Sequence, residues 1–149
     1  MSFREKSAWI SLGITLFVFV PYFARLLGPL SRHEFPTATI LPLFLGAVVL
    51  ETVLIIAAAI VIAILSREEP ADERDRAIDA TANRYAYYAL STTSVVALIG
   101  LVALSAIPNE IPAPRTEAIA FLSQVVFSCL ILAEVVRNTT QIVGYRKGA

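Results

Sequence analysis

Histidine, cysteine and tryptophan each occur once in this chain of 149 residues, and charged residues make up only 16% of it. Cys129 stands alone inside an apolar run, which rules out an internal disulfide and every multi-cysteine metal motif. His33 is likewise single. With Glu34 it starts like a zinc-protease motif, but Thr37 stands where the second histidine belongs and Pro36 precedes it. Neither a glycine-rich phosphate loop nor a nucleophile elbow is present. Twelve basic and twelve acidic residues cancel, so no overall charge favours a nucleic-acid partner. The expectation is a non-enzymatic protein with no metal, no cofactor and no nucleic-acid partner.

In abundance instead are apolar residues, 57% of the chain, a share that places much of its surface against membrane lipid. A transmembrane helix needs about 20 such residues at about 1.5 Å rise each. Four segments qualify, at about 8–27, 39–65, 85–106 and 118–136. The predicted fold is all-α: a single-domain integral membrane four-helix bundle. A short basic lead, Met1 to Lys6, precedes the first run, which is longer than the apolar part of a cleaved signal peptide and reads as a retained span.

Basic residues collect on the cytosolic side of short loops. With the N-terminus inside, that side carries nine: Arg4, Lys6, Arg67, Arg74, Arg76, Arg84, Arg137, Arg146 and Lys147. The other side carries three, Arg25, Arg32 and Arg115. Both termini are therefore expected in the cytosol, where the glycosylation letters Asn138-Thr139-Thr140 have no meaning. A shift of 77 positions aligns Phe44-Leu45-Gly46-Ala47-Val48-Val49 with Phe121-Leu122-Ser123-Gln124-Val125-Val126. Four identities in six suit duplication of a two-helix hairpin and chance equally well. Duplication would make the halves parallel repeats about the membrane normal.

Glu51, in the middle of the second span, is the most informative residue. A charge there costs about 2.5 to 3.5 kcal/mol on insertion scales, so the carboxyl should face other helices, as a proton- or cation-coupled site or as a protonated interhelical hydrogen bond. Glu134 and Arg137 stand three apart on the fourth span, with Asn138 and Gln141 continuing that face. They read either as a snorkelling ion pair or, with Glu51, as an inner vestibule. Arg25 reads as an anchor at the outer end. Ala86, Ala89, Thr93, Ala97 and Gly100 form a stripe of small residues suited to close helix packing.

Between the second and third spans, Glu68 to Asp79 reads as a helix start with Pro70 in the first turn. The third helix should then run unbroken to about Ala106, roughly 36 residues or about 54 Å, and project into the cytosol. Asp72, Glu73, Arg74, Asp75 and Arg76 form a candidate surface for a partner protein or a second copy. Asp72 and Arg76 are spaced to pair, and Asp72, Asp75 and Asp79 share a face that reads as a solvated stalk rather than a metal site.

Asp72-Glu73-Arg74-Asp75-Arg76-Ala77-Ile78, followed by Ala80, Ala82 and Tyr85-Ala86-Tyr87-Tyr88-Ala89-Leu90, resembles a signature of small multi-span prokaryotic membrane proteins of unassigned function. Where many members carry Lys-Ala after the isoleucine, this chain has Thr81-Ala82. The resemblance implies a bacterial or archaeal inner membrane and brings no catalytic residues. The leading functional expectation is a sensor, accessory or interaction subunit. The alternative is a small proton-coupled transporter or channel acting as a homo-oligomer.

Overall fold

The computed structural model describes residues 3–31, 37–65, 72–105 and 115–147, and side chains for all of these except 29–31, 37–39, 103–105 and 115–120. They form four helices: α1 (Phe3–Ser31), α2 (Thr37–Leu65), α3 (Glu73–Ser105) and α4 (Arg115–Lys147). All four are long and apolar enough to cross a membrane. Their outward residues agree with a lipid surround: Phe17, Ile64 and Leu65 are 70%, 77% and 78% exposed, a cost that water would impose and hydrocarbon does not. The chain is an integral membrane four-helix bundle, as its hydrophobic runs predict.

Hydroxyls in these apolar helices mostly bond their own preceding turn. Thr52 donates to the Val48 carbonyl at 2.8 Å, Thr81 to Ala77 at 2.8 Å and Thr93 to Ala89 at 2.7 Å, so none carries an unmet donor into lipid. Pro21 and Pro42 both lie inside continuous helices, where each removes one backbone N–H from the ladder. The helix ends follow ordinary rules. The Asp75 N–H donates to Asp72 Oδ1 at 2.7 Å, making Asp72 the N-cap of α3, and Glu73 and Asp75 place acid in its first turn. α3 therefore starts three residues after the expected Pro70, because the Asp72 side chain takes up a first-turn amide. Pro70 itself lies outside the described residues. Arg146 and Lys147 supply the basic last turn of α4.

In this bundle α1 packs against α2 and α4, and α4 packs along α3. α2 touches α4 more sparingly, and among the described residues no Cα of α2 comes within 8 Å of one of α3. The helices are thus arranged in the order α2, α1, α4, α3, with the seam between α2 and α3 open. Two helical hairpins are present. A two-fold axis along the membrane normal would pair α2 with α3 as it pairs α4 with α1, and that contact is missing among the described residues.

Contact between α3 and α4 rests on small residues. Ala82 is fully buried, and Ala86, Ala89, Thr93 and Ala97 are half-buried on the face toward α4, while Gly100 is exposed. The stripe is ordinary packing within the bundle. Near the end of α4, a Cβ on Gly144 would stand 2.9 Å from Cγ2 of Ile78, so glycine is needed for the two helices to approach as they do. Both helices run past the predicted span limits at this end, α3 starting 12 residues before Tyr85 and α4 ending 11 after Val136. The extensions pack on each other, so the projecting segment is a helix pair rather than a lone stalk.

Candidate functional site

Three helix ends meet where the charges gather: the start of α1, the start of α3 and the end of α4. Arg4 reaches from α1 to α3, with Nε 3.4 Å from Asp75 Oδ2 and Nη1 3.3 Å from Asp79 Oδ2. Gln141 of α4 donates to the other Asp79 oxygen at 3.0 Å. Arg146 Nε lies 3.9 Å from Glu5 Oε1, and its guanidinium stands 5.2 Å from the ring centre of Trp9. Arg74 donates to the Tyr145 carbonyl at 3.3 Å. These ties join α1 to α3 without backbone contact between them, and they leave space inside.

That space is a cavity of about 280 Å³. α1 lines it with Arg4, Ser7 and Ser11, α3 with Asp79, and α4 with Glu134, Arg137, Asn138 and Gln141. Ser7, Ser11 and Thr15 are four apart and so share one face of α1. Glu134, Asn138 and Gln141 repeat the pattern on α4. Asn138, only 2% exposed, donates to Glu134 Oε1 at 3.1 Å, and Arg137 Nε donates to Asn83 Oδ1 at 3.0 Å. The Arg137–Glu134 ion pair, at 3.9 Å with both side chains well exposed, adds little stability. The Tyr145 hydroxyl also lines the cavity wall, buried and without a hydrogen bond of standard geometry.

Glu51 is not in the wall. It lies deeper in the bundle, where Thr15, the residue after Ser11 on the same stripe, donates to its Oε1 at 3.2 Å. Thr15 is completely buried, and its hydroxyl crosses between helices instead of bonding its own turn. Glu51 is half-buried, turned toward α1, and within electrostatic range of Glu134. A hydroxyl and carboxylate stripe thus leads from the charged end to mid-bundle.

Past Glu51 the interior changes character. Phe127 of α4 sits among Phe19 and Phe23 of α1 and Phe44 of α2, with ring centres 5.3, 6.3 and 4.9 Å away. Phe19 and Tyr22 are 2% and 4% exposed, and Tyr22 donates to Gln124 of α4. Most of these rings meet edge to face, the favourable arrangement for aromatic quadrupoles. The polar path ends at this plug.

Of the residues singled out from sequence, Glu134 and Arg137 come together in the cavity wall, and Glu51 lies beyond it, linked through Thr15. The five residues of the candidate partner surface divide. Asp72 caps α3, Arg74 bonds Tyr145, and half-buried Asp75 is held by Arg4; Asp72, Glu73, Arg74 and Arg76 are all exposed, the first and third while making these contacts. Among the described residues Asp72 and Arg76 form no ion pair; the Arg76 N–H instead bonds the Asp72 carbonyl at 3.2 Å. Sequence reasoning missed Arg4 as the tie between α1 and α3, and it missed the hydroxyls of α1. The four-residue spacing of Ser7, Ser11 and Thr15 in an otherwise apolar run was the available signal. No family model, no curated protein and no solved structure matches this chain.

Proposed function

We propose that this chain is a non-enzymatic multi-pass membrane protein that takes a proton or small cation into a one-sided vestibule, as a sensor or accessory subunit. The observation that carries this reading is the ending of the Ser7–Ser11–Thr15 and Glu134–Asn138–Gln141 stripes against the aromatic plug around Phe127. A group open to water at one end and closed at the other can register a concentration without passing the ion on. Glu134 in the vestibule wall and the half-buried Glu51 beyond it are the kind of intramembrane carboxylate that marks proton relays and ion sites. The nine-to-three basic bias supports a cytosolic vestibule, and the resemblance of the segment from Asp72 to Leu90 supports a prokaryotic inner membrane. The open seam between α2 and α3 supports a protein partner or a second copy.

Trp9 is the only tryptophan and stands beside Arg146 at the charged end of the bundle, between the vestibule residues Ser7 and Ser11 in sequence, so its fluorescence reports on that end. Wild-type protein in nanodiscs should show a pH-dependent change in Trp9 emission that Glu134→Gln reduces. An identical titration in the variant would sink the sensing reading.

The specific observation favouring the transporter reading is the Thr15–Glu51 hydrogen bond, which places a titratable group at the end of the polar path. Glu51→Gln keeps the size of the side chain and removes its titration. For a sensor or accessory subunit, folding and assembly stay nearly unchanged, since an interhelical hydrogen bond of this kind averages about 0.6 kcal/mol. For a proton-coupled homo-oligomer, pH-driven flux in proteoliposomes is present in the wild type and lost in Glu51→Gln at equal amounts of folded protein.

A further inference from the structure

On the lipid side of the bundle, at the end away from the vestibule, α1 and α2 line a groove of about 720 Å³. Its wall is apolar, with Pro21, Pro42 and Gly46 among the lining residues and one charge, Arg25, at its mouth. Arg25 is exposed, and among the described residues it has no ion-pair partner and no acid contributes to the wall. The groove runs along α2 from Pro42 to Leu50, about 12 Å of helix at 1.5 Å per residue. That is close to the depth of one leaflet, about half of a 30 Å hydrocarbon core.

We propose that this groove is a binding site for one phospholipid with a net negative headgroup, its phosphate on Arg25 and an acyl chain along the channel between α1 and α2. The charges decide the headgroup. An arginine guanidinium holds a phosphate through parallel charge-assisted hydrogen bonds. A zwitterionic headgroup would bring an amine to the same mouth, where among the described residues no carboxylate stands to receive it. Concavity separates this site from the rest of the lipid-facing surface, since an acyl chain seated here replaces contacts that a loosely packed annular chain makes poorly. The inference does not depend on the vestibule or on its proposed role.

Titration of the full-length chain in nonionic detergent with phosphatidylglycerol or phosphatidylcholine, read by native mass spectrometry, tests it. The wild type should saturate at one phosphatidylglycerol per chain and bind phosphatidylcholine more weakly. Arg25→Gln should weaken phosphatidylglycerol binding about tenfold, and Arg25→Lys should recover part of the loss. A Cβ at Gly46 meets nothing within 4 Å and Gly46 lines the groove, so the side chain of Gly46→Phe starts in open space there and should block binding while the helical circular dichroism signal is kept. Equal binding of the two lipids to the wild type, or unchanged phosphatidylglycerol binding in Arg25→Gln and Gly46→Phe, would overturn the proposal.

Discussion

At the residue scale, the most constrained position is one that sequence patterning passes over. Gly144 carries no turn and no motif, yet its missing side chain is what lets Ile78, 5% exposed, seat against α4. Adding a methyl there meets a branched side chain at 2.9 Å, and overpacking of this sort costs about 1 to 3 kcal/mol. Gly144→Ala should therefore lower the unfolding midpoint in mild detergent. In an Ile78→Ala background the same change should cost far less, because the atom it strikes is gone; equal costs in both backgrounds would show that the contact is not responsible. Glu51 is the opposite case. A carboxylate in the middle of 29 residues of near-uniform apolar sequence is conspicuous, and it turns toward a neighbouring helix as the cost of a lipid-facing charge requires. Its partner was not legible. Thr15 is one of several hydroxyls in the apolar runs, and only the placement of α1 beside α2 separates it from those that bond their own turn.

Among the helices, the spans themselves were legible because each exceeds the hydrocarbon thickness and little else in a chain of this composition can. α3 is helical without a break from Glu73 through Ser105, across the stretch from Asp79 to Tyr88 where a loop would have undone the projecting helix. Its start was misplaced, since proline and acids mark the neighbourhood of an N-terminus while the capping hydrogen bond decides the residue. Asp72→Ala removes the acceptor of the Asp75 amide and should cost about 1 kcal/mol. Hydrogen exchange should quicken at the first-turn amides of α3 and stay unchanged beyond Ala82, where packing on α4 holds the helix. Exchange that quickens along the whole of α3 would mean the cap holds more than its own turn. The vestibule wall on α4 was legible for a similar reason: Glu134, Arg137, Asn138 and Gln141 fall on one helical face by spacing alone. The wall on α1 was marked only by the four-residue spacing of Ser7, Ser11 and Thr15, and the tie through Arg4 needed tertiary contacts that no local pattern encodes. Consecutive elements usually neighbour each other, but among the described residues no Cα of α2 comes within 8 Å of α3, while Arg4 of α1 meets Asp75 and Asp79 of α3.

For the whole molecule, the charged end and the aromatic end give the bundle a direction, and the proposed role depends on which side of the membrane each faces. Ion pairs, the vestibule mouth and the basic last turn of α4 all lie at the end that the basic bias assigns to the cytosol. Tyr85, Tyr87 and Tyr88 are exposed on α3 where its charged segment gives way to the apolar one, at the level expected of an interfacial aromatic belt. Cysteine labelling in intact cells resolves the direction. Cys129 is 5% exposed and is first replaced in a Cys129→Ser background, which leaves a chain with no thiol of its own. A membrane-impermeant maleimide should then label Arg32→Cys and Arg115→Cys directly, and Arg76→Cys, whose side chain is exposed, only after permeabilisation. Position 32 reacting only after permeabilisation, with position 76 reacting at once, would invert the topology. The vestibule would then open outward, and a protein registering external rather than cytosolic protons would replace the one proposed. Labelling of all three positions in intact cells would instead mean a mixed orientation, which a basic bias of nine against three argues against.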